Sequence, residues 1–598
     1  MVLTPARAAA WTLGVAVAAY ANALGNGFAY DDNLILAANP VVTEGRFGDA
    51  LLGPWWFGAV GGAGLWRPLT LGSFTLEWKL WGGSALGFHA VSVVGHALTA
   101  LLVLLVLARL APLAAALAGA LLFAVHPVHV EAVANVVGRS EIYAALAVLS
   151  GCVVYLHPGL RADRMRGVRM GLLCVLYLAG LAGKESAVTL PAALLVLELA
   201  RAAEQPLGVR LRKEVALLAG LAAVLAGYLL LRSAVLGAIT GGAAAPELYG
   251  LTAAQRILTA FSLWPEYVRL LVFPVSLSAD YAPAVLLVSR GVTPAVVAGL
   301  GVLGGLTVLA GVLRRRVPLA TAGIAWFFVT VLPVSNLLFP AGLLLGERTL
   351  YLPSVGASCV VAGAWAVTAP RLSGPARRWG LAAAAVVLSA LLVRTVARNP
   401  TWFSTWTVMN TLAQEHPESA AAMRTRALGL ERVGETQAAA DLWRTVLALQ
   451  PNHYGFLVEG ARFFGRLGQG ATAAELLGRA AAIRPADPSA YRALAELRLR
   501  RGEGREAHRT ALEGLARAGS DAELWALVSE AYVAKGDLAA AVRARRAALG
   551  ADPASARSWD RLAELLDALG RGDEASAARG GGDALGPPAP AGSPGGPP

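Results

Sequence analysis

Long apolar runs dominate the first two thirds of this chain. Runs of about 17 to 25 mostly apolar residues recur from residue 8 to about residue 396 and then stop. Lipid cannot satisfy free backbone N–H and C=O groups, so runs of this length cross a bilayer as helices. Hydrophobic residues make up 56% of the 598 residues, more than a soluble protein of this size needs for its core. The sequence therefore predicts an all-α chain with a multispanning membrane domain over residues 1–400.

Basic residues in the short loops set the predicted topology, because cytoplasmic loops carry an excess of Lys and Arg. The clusters are Arg161, Arg164, Arg166 and Arg169; Arg201, Arg210, Arg212 and Lys213; Arg314, Arg315 and Arg316; and Arg371, Arg377 and Arg378. The net charge of +12 therefore reflects orientation in a membrane. No nucleic-acid partner is predicted from it.

About eleven spans fit this charge pattern. They are predicted near 8–24, 89–109, 112–126, 140–157, 170–183, 186–200, 214–235, 293–312, 318–338, 351–369 and 379–396. Residues 25–88 then form the first outer loop, and the chain leaves the membrane on that same face. The apolar segment 254–278, broken by Pro265, is predicted to be an interfacial or re-entrant helix. Arg394 and Arg398, near the exit, are exceptions to the rule. A signal peptide ending at 21–23 is the alternative for the first segment.

A 34-residue period begins after the last span. It is carried by Pro417, Pro451, Pro485 and Pro553, by Gly434, Gly468, Gly502, Gly536 and Gly570, and by Ala439, Ala473, Ala507, Ala541 and Ala575. This period is typical of tetratricopeptide repeats, and about five are predicted over residues 401–580. Such repeats form a concave surface for protein partners; the alternative is that they only cap or dimerise the membrane domain. The Gly/Pro-rich residues 581–598 are predicted to be disordered.

Asp31 and Asp32 stand directly after the first apolar run. Desolvation and mutual repulsion both oppose double ionisation of a carboxylate pair near a bilayer. The pair is therefore a candidate for acid–base chemistry, with a helix cap or a turn as the alternative.

Further polar residues collect in the predicted outer loops. They are His126, His129, Glu131, Arg139 and Glu141; Lys184 and Glu185; and Glu347, Arg348 and Tyr351. The candidate substrate contacts among them are His126, His129, Glu131, Glu141, Glu185, Glu347 and Tyr351. Arg139, Lys184 and Arg348 are candidates to bind a lipid-linked phosphate, since a cation at this depth could pair with it. The alternative is that these residues form local ion pairs or snorkel to the interface.

Two other outer groups allow alternative interpretations. His126, His129 and Glu131 could bind a divalent ion, but their spacing fits no zinc motif, so hydrogen bonding to substrate or a loop role is favoured and no metal is assigned. Tryptophans of the first loop are predicted to be interfacial anchors, or else to stack on a sugar: Trp55, Trp56, Trp66, Trp78 and Trp81. His96, alone in an apolar span, is predicted to be a packing residue hydrogen-bonded to another helix.

Several stretches together resemble one family. They are FAYDDNLILAANP, LWRPLTLGSFTLEWKL, GFHAVSVVGHAL, LLFAVHPVHVEAVANVVGRSE, GKES and PVSNLLFPAGLLLGERTLYLPS. With the repeats, they resemble the transmembrane and tetratricopeptide-repeat (TPR) O-mannosyltransferases of the C-type glycosyltransferase superfamily. The resemblance implies a catalytic acid in the first outer loop, matching Asp31 or Asp32. It also implies a lipid-phosphate-linked hexose donor and a Ser or Thr acceptor. The repeat array is short for the family, so its eukaryotic acceptors do not carry over.

The resulting hypothesis is an integral membrane glycosyltransferase. It would move a hexose, expected to be mannose, from a polyprenyl phosphate to a protein hydroxyl on the periplasmic face of a bacterial cytoplasmic membrane. The Ala/Arg/Gly-rich composition suggests the bacterial source. One aspartate, by preference Asp31, would be the general base, and the repeats would recruit the acceptor. No nucleotide cofactor is expected. The alternatives are a lipid-linked sugar transporter and a non-catalytic scaffold for periplasmic partners.

Overall fold

A computed structural model describes residues 3–56, 64–201, 205–237, 239, 245–281 and 285–580. All regular secondary structure within these ranges is helical, as predicted. The contacts divide the chain into two units, the first ending at Thr425 and the second beginning at Arg426. Residues 581–598, the predicted disordered tail, lie outside the described residues.

The first unit contains helices at every predicted span. Its helices are α1 Pro5–Tyr20, α2 Pro40–Thr43, α3 Phe47–Leu52, α4 Pro68–Trp81, α5 Ala85–Leu107, α6 Leu113–Val125, α7 Val130–Val133, α8 Arg139–Leu156, α9 Arg166–Gly183, α10 Leu190–Ala200, α11 Leu207–Lys213, α12 Val215–Leu236, α13 Ala253–Ser262, α14 Trp264–Val272, α15 Pro294–Leu313, α16 Pro318–Val331, α17 Ser354–Thr368, α18 Gly374–Arg398 and α19 Thr405–Glu415. The next helix, α20 Ala420–Arg432, runs across the division between the units.

Fewer helices than eleven reach the length of a full span. Among the described residues, seven helical segments are long and apolar enough, or eight if α6 and the short helices after it count as one span bent by 48°. The other predicted spans are α10, α16 and α17, with 11, 14 and 15 residues. A bilayer core requires roughly 20 helical residues. Segment 254–278 forms the short helices α13 and α14, neither of which is long enough to cross.

Glycines allow α16 and α17 to pack closely in the core of this unit. A Cβ atom at Gly323 would lie 2.4 Å from the carbonyl oxygen of Gly356, and one at Gly356 would lie 2.4 Å from that of Gly323. Small residues let helix backbones approach in this way inside membranes, where packing rather than the hydrophobic effect holds helices together. The close contact fixes α17, which follows the loop carrying Glu347 and Arg348.

The second unit consists of paired helices. They are α21 Thr436–Leu449, α22 Tyr454–Arg466, α23 Gly470–Ile483, α24 Pro488–Arg500, α25 Gly504–Ala518, α26 Ala522–Ala534, α27 Leu538–Ala551, α28 Ala556–Ala568 and α29 Gly572–Arg579. The glycines at the 34-residue period all adopt left-handed backbone, with φ between 74° and 82°. The five periodic alanines are all buried between helices. The glycines therefore form the turns between helices, and the alanines allow the helices to pack closely.

Candidate functional site

The start of the first loop is hydrogen-bonded to the end of the last span. The Asn399 side chain donates to the carbonyl oxygen of Ala19 (2.8 Å), and that of Asn26 donates to the carbonyl oxygen of Asn399 (3.1 Å). The backbone N–H of Tyr30 donates to Oγ1 of Thr405 (2.8 Å). Both segments therefore lie at one end of the helix bundle, here called the Asp31 end. The chain therefore leaves the helix bundle at the end that carries Asp31.

Asp32 is completely buried at this end. Its carboxyl oxygens accept hydrogen bonds from the backbone N–H groups of Ala29 (3.2 Å), Val136 (3.3 Å) and Val137 (2.8 Å). Burial raises the pKa of Asp32 to about 7, although the three backbone donors lower it. The side chain thus joins the first loop to the segment before α8, and it has no access to solvent.

The carboxylate of Asp31 pairs with Arg348 and is partly exposed. Its Oδ2 atom lies 3.3 Å from Nη1 of Arg348, and each of the two side chains is 19% exposed. Nε of Arg348 lies 3.4 Å from Oε1 of Glu131, and the backbone N–H of Arg348 donates to Oε2 of Glu131 (2.9 Å). Arg348 therefore bridges two carboxylates. Asp31, Glu131 and Arg348 are called the Arg348 cluster below.

The residue before Asp31 has an unusual backbone. Tyr30 has φ of 54°, in the left-handed region that bulky residues rarely adopt. Such a conformation costs on the order of 1 kcal/mol or more and persists only when the surroundings hold it. The hydrogen bond from Tyr30 to Thr405 supplies one such restraint.

Further cations pair with Glu141 and Glu185 at this end. Nζ of Lys184 is paired with the carboxylate of Glu141. The ammonium group lies near the guanidinium groups of Arg348 and Arg67. Arg67 Nη2 lies 3.0 Å from Glu185 Oε2. Nη1 of Arg232, from α12, lies 3.2 Å from Glu185 Oε1. Each of these cations therefore has an acidic partner.

Sequence reasoning did not select Arg67 and Arg232. Arg232 stands inside an otherwise apolar span, which is itself a signal of function or of a buried partner. Arg67 lies in the stretch LWRPLT, whose arginine precedes the proline that begins α4. The structure brings both to Glu185.

Arg139, also predicted to bind phosphate, is fully buried. Its guanidinium pairs with Glu77 and donates to Oγ of Ser92 (3.1 Å) and to the carbonyl oxygen of Phe88. All its nitrogens are thereby used in joining α4, α5 and α8. None of these bonds reaches the Arg348 cluster.

His126, His129 and Tyr351 form hydrogen bonds that join separate segments of the chain. Nε2 of His126 donates to the carbonyl oxygen of Leu271 (3.0 Å), while Nδ1 accepts from the N–H of Val128 (3.2 Å). Nε2 of His129 lies 2.8 Å from Oγ of Ser354. The hydroxyl of Tyr351 lies 2.8 Å from Nδ1 of His96, whose Nε2 bonds the carbonyl oxygen of Ala124. The predicted helix-to-helix role of His96 is confirmed. In the described part of the chain, no three His, Cys, Asp or Glu side chains are arranged to hold a metal ion.

Glu347 holds a neighbouring loop. Its Oε1 atom accepts hydrogen bonds from the N–H of Ser278 (2.5 Å) and the hydroxyl of Tyr281 (2.8 Å). Burial raises the pKa of Glu347 to about 7. The side chain therefore fixes the segment after α14 beside the loop that carries Arg348.

The tryptophans of the first loop differ in position. Trp55 and Trp66 are only 1% and 6% exposed, so the prediction of interfacial anchors is wrong for these two. Trp55 packs under Arg67, with the guanidinium carbon 5.1 Å from the ring centroid, and Trp66 stacks on Tyr228 at 5.4 Å. Trp55 lies in the core of the first loop, whereas Trp66 joins the loop to α12 in the main helical core.

Comparison with known proteins gives two kinds of match. The family model "Tetratricopeptide repeat" matches residues 466–531. Protein O-mannosyl-transferase Tmtc2 of Drosophila melanogaster is 38% identical over 179 residues, 28% of this chain and 19% of that protein. Protein O-mannosyl-transferase TMTC1 of Homo sapiens is 27% identical over 515 residues, 75% of this chain and 56% of that protein. The structure titled "Crystal structure of MamA" aligns with 26% of this chain at a TM-score of 0.24 and 18% identity, covering 91% of that chain.

These matches bear on the predicted resemblance. It is confirmed, since the matches to O-mannosyl-transferases extend over most of the chain. The chain spans about half the length, or less, of the curated relatives it matches.

Proposed function

We propose that this chain, a relative of the TMTC protein O-mannosyl-transferases, is a membrane-bound glycosyltransferase that moves mannose onto a protein hydroxyl. The donor is a mannose linked to a polyprenyl phosphate, and the acceptor is a Ser or Thr side chain. The reaction takes place at the Asp31 end, on the periplasmic face of a bacterial cytoplasmic membrane. The observation that carries this proposal is the half-open pair of Asp31 and Arg348 beside a strained backbone.

Asp31 is assigned as the general base. It is the member of the aspartate pair that reaches solvent, whereas Asp32 is buried and bonded to three backbone N–H groups. As the acceptor oxygen forms its bond to the anomeric carbon of mannose, its proton passes to Asp31. The bond from the anomeric carbon to the phosphate oxygen breaks, and the polyprenyl phosphate leaves with the electron pair. A carboxylate and a hydroxyl thereby exchange one proton, and no other reactant is needed.

We assign Arg348 to binding the phosphate of the sugar donor. Its Nη1 and Nε atoms face Asp31 and Glu131, while Nη2 has no hydrogen bond to a described residue. A guanidinium offers five donors in a planar fork, so it can bind an incoming phosphate oxygen while it still contacts the carboxylates. It would then stabilise the charge that develops on the leaving phosphate. The charge of Lys184, which lies near Arg348, would add to this stabilisation.

The predicted substrate contacts fall into two groups. Glu131 and Glu141 hold Arg348 and Lys184, and Glu185 holds Arg67 and Arg232. His126, His129, Glu347 and Tyr351 support the loops around the opening. We assign the second group to positioning, since each of its side chains bonds a neighbouring element. The TPR unit is proposed to select the acceptor protein.

A transfer assay tests this function. The full chain is reconstituted in vesicles with synthetic polyprenyl-phosphate mannose and a Ser/Thr-containing peptide, and mannosylated peptide is measured by mass spectrometry. Asp49, an exposed carboxylate in the same loop, provides the matched control variant Asp49→Asn. We expect wild type and Asp49→Asn to form product and Asp31→Asn to lose at least about 100-fold in rate.

Three outcomes would contradict parts of the proposal. Equal rates for Asp31→Asn and wild type would exclude Asp31 as the base. Product from a nucleotide sugar but not from the lipid-linked sugar would exclude the donor. If the folded protein gives no product from any donor and no glycoprotein changes when its gene is deleted, the scaffold hypothesis is favoured.

A further inference from the structure

Two arginines interrupt the predicted charge pattern at the Asp31 end of α18. Arg394 and Arg398 line a polar cavity of about 330 Å³. The other lining residues are Ala397, Pro400, Thr401, Thr407, Asn410, Thr411 and Glu415. The cavity shares no residue with the Arg348 cluster, and nothing in the proposed transfer reaction uses it.

Two arginines and one glutamate line the cavity, so its lining has a net charge of +1. Nη1 of Arg398 binds both carboxylate oxygens of Glu415, at 2.6 and 2.7 Å. Arg398 is 2% exposed, and its Nε atom has no hydrogen-bond partner in the described part of the chain. Arg394 donates through Nε to the carbonyl oxygen of Val275 (3.1 Å) but forms no ion pair within the described residues. Glu415 therefore forms its ion pair with Arg398, and Arg394 has no carboxylate within ion-pair distance among the described residues, so its guanidinium can bind an anion.

Neutral donors complete the lining. The side chains of Asn410 and Thr411 form no hydrogen bond to another described residue, although both face the cavity. An amide, a hydroxyl and a guanidinium around one space are the groups that bind phosphate oxygens. The guanidinium of Arg394 is only partly buried, so it is the charged donor that an anion in the cavity could reach.

The surroundings place this cavity beside lipid. α18 belongs to a candidate span of which 6% is buried, and Val386, Val387 and Val393 are exposed along it. Phe403 and Trp406 are exposed just beyond the helix end. Aromatic side chains in this position are typical of the boundary between the bilayer core and the headgroups. The cavity therefore lies at the depth of lipid phosphates.

We propose that the cavity of Arg394 and Arg398 binds the phosphate of a membrane-lipid headgroup. The site is separate from the one that holds the sugar donor. Arg394 supplies the charge, Arg398 is held in place by Glu415, and Asn410 and Thr411 donate to the remaining oxygens. The bound lipid anchors the end of α18 where the chain leaves the membrane.

Native mass spectrometry of the full chain, released from detergent micelles, tests this site. The probes are phosphatidylglycerol, diacylglycerol as the matched lipid without phosphate, and inorganic phosphate. The variant is Arg394→Gln. The control is Arg377→Gln, an exposed arginine at the opposite end of the same helix. We expect phosphatidylglycerol to bind wild type and Arg377→Gln, and to bind Arg394→Gln at least about tenfold more weakly, a difference of about 1.4 kcal/mol.

Other outcomes overturn the proposal. Equal binding of diacylglycerol would show that the acyl chains, rather than the phosphate, are recognised. Binding of inorganic phosphate as tight as that of phosphatidylglycerol would identify a free anion as the ligand. Equal affinity of Arg394→Gln and wild type would remove Arg394 from the site. Displacement of the lipid by an acidic peptide at a lower concentration would identify a protein segment as the ligand.

Discussion

Asp31 and Asp32 are neighbours in the chain, yet their carboxyl groups face different surroundings. Asp32 is 0% exposed and bonded to three backbone N–H groups, whereas the Asp31 side chain is 19% exposed and pairs with Arg348. The left-handed backbone of Tyr30 immediately precedes the pair. One sequence motif thus provides both a structural anchor and a candidate base.

Asp31→Asn is expected to remove transfer activity and leave folding intact. An amide cannot accept the proton of the acceptor hydroxyl, and general-base catalysis contributes about 10²- to 10⁴-fold. The measurement is the turnover rate at saturating donor, together with the thermal midpoint. A large loss of stability with no separate loss of rate per folded molecule would contradict the assignment.

Asp32→Asn is expected to destabilise the first unit by about 1–3 kcal/mol. The amide offers one acceptor oxygen where the carboxyl group serves three N–H donors on two atoms, and its NH₂ group would face a donor. Thermal unfolding in detergent measures the difference. Asp31→Asn, at a partly exposed position that accepts no backbone hydrogen bond, is the control and should change the midpoint less.

The raised pKa values predict a pH dependence of stability. Asp32 and Glu347 both have pKa near 7 when folded, above their ordinary values near 4. The folded chain therefore binds more protons than the unfolded chain between about pH 4 and pH 7. Stability should be greatest at the acid end of this window and fall as the pH rises through 7. Comparing the thermal midpoints of wild type, Asp32→Asn and Glu347→Gln from pH 4.5 to 8 checks this, since each variant should show a weaker decline.

Arg348→Lys is expected to weaken binding of the lipid-linked sugar donor, although the positive charge is kept. A lysine keeps the charge but cannot bridge Asp31 and Glu131 while it also binds phosphate. We expect the KM for the lipid-linked sugar to rise at least about tenfold, which corresponds to about 1.4 kcal/mol. Arg46→Lys, on the surface of the first outer loop, is the control. An unchanged KM for Arg348→Lys would remove Arg348 from the phosphate site.

Gly356→Ala is expected to lower stability by about 1–3 kcal/mol, because its Cβ atom would meet the carbonyl oxygen of Gly323 at 2.4 Å. The backbone of α16 would have to move to relieve that contact. Gly311→Ala, on α15 with nothing within 4 Å of the added atom, should be neutral or stabilising. Similar midpoints for the two variants would show that α16 and α17 are not packed as described.

Local chemistry allowed several features to be predicted from sequence. The apolar runs predict helices because lipid forces the backbone to bond internally, and helices occur at each of those runs. The 34-residue glycine series predicts its turns because only glycine readily adopts their positive φ. The number of full spans does not follow from apolar runs alone, because α10, α16 and α17 are apolar but short.

The class of fold, the repeat unit and the set of polar residues from which a site could form can all be read from the amino-acid sequence. How those residues pair depends on the folded chain. The tertiary structure placed Arg139 with Glu77, joined Arg67 and Arg232 through Glu185, and separated Asp31 from Asp32. The physical reason is that burial and hydrogen bonding depend on segments far apart in the chain. Val137, which bonds Asp32, is 105 residues away, and Arg348, which pairs with Asp31, is 317 residues away.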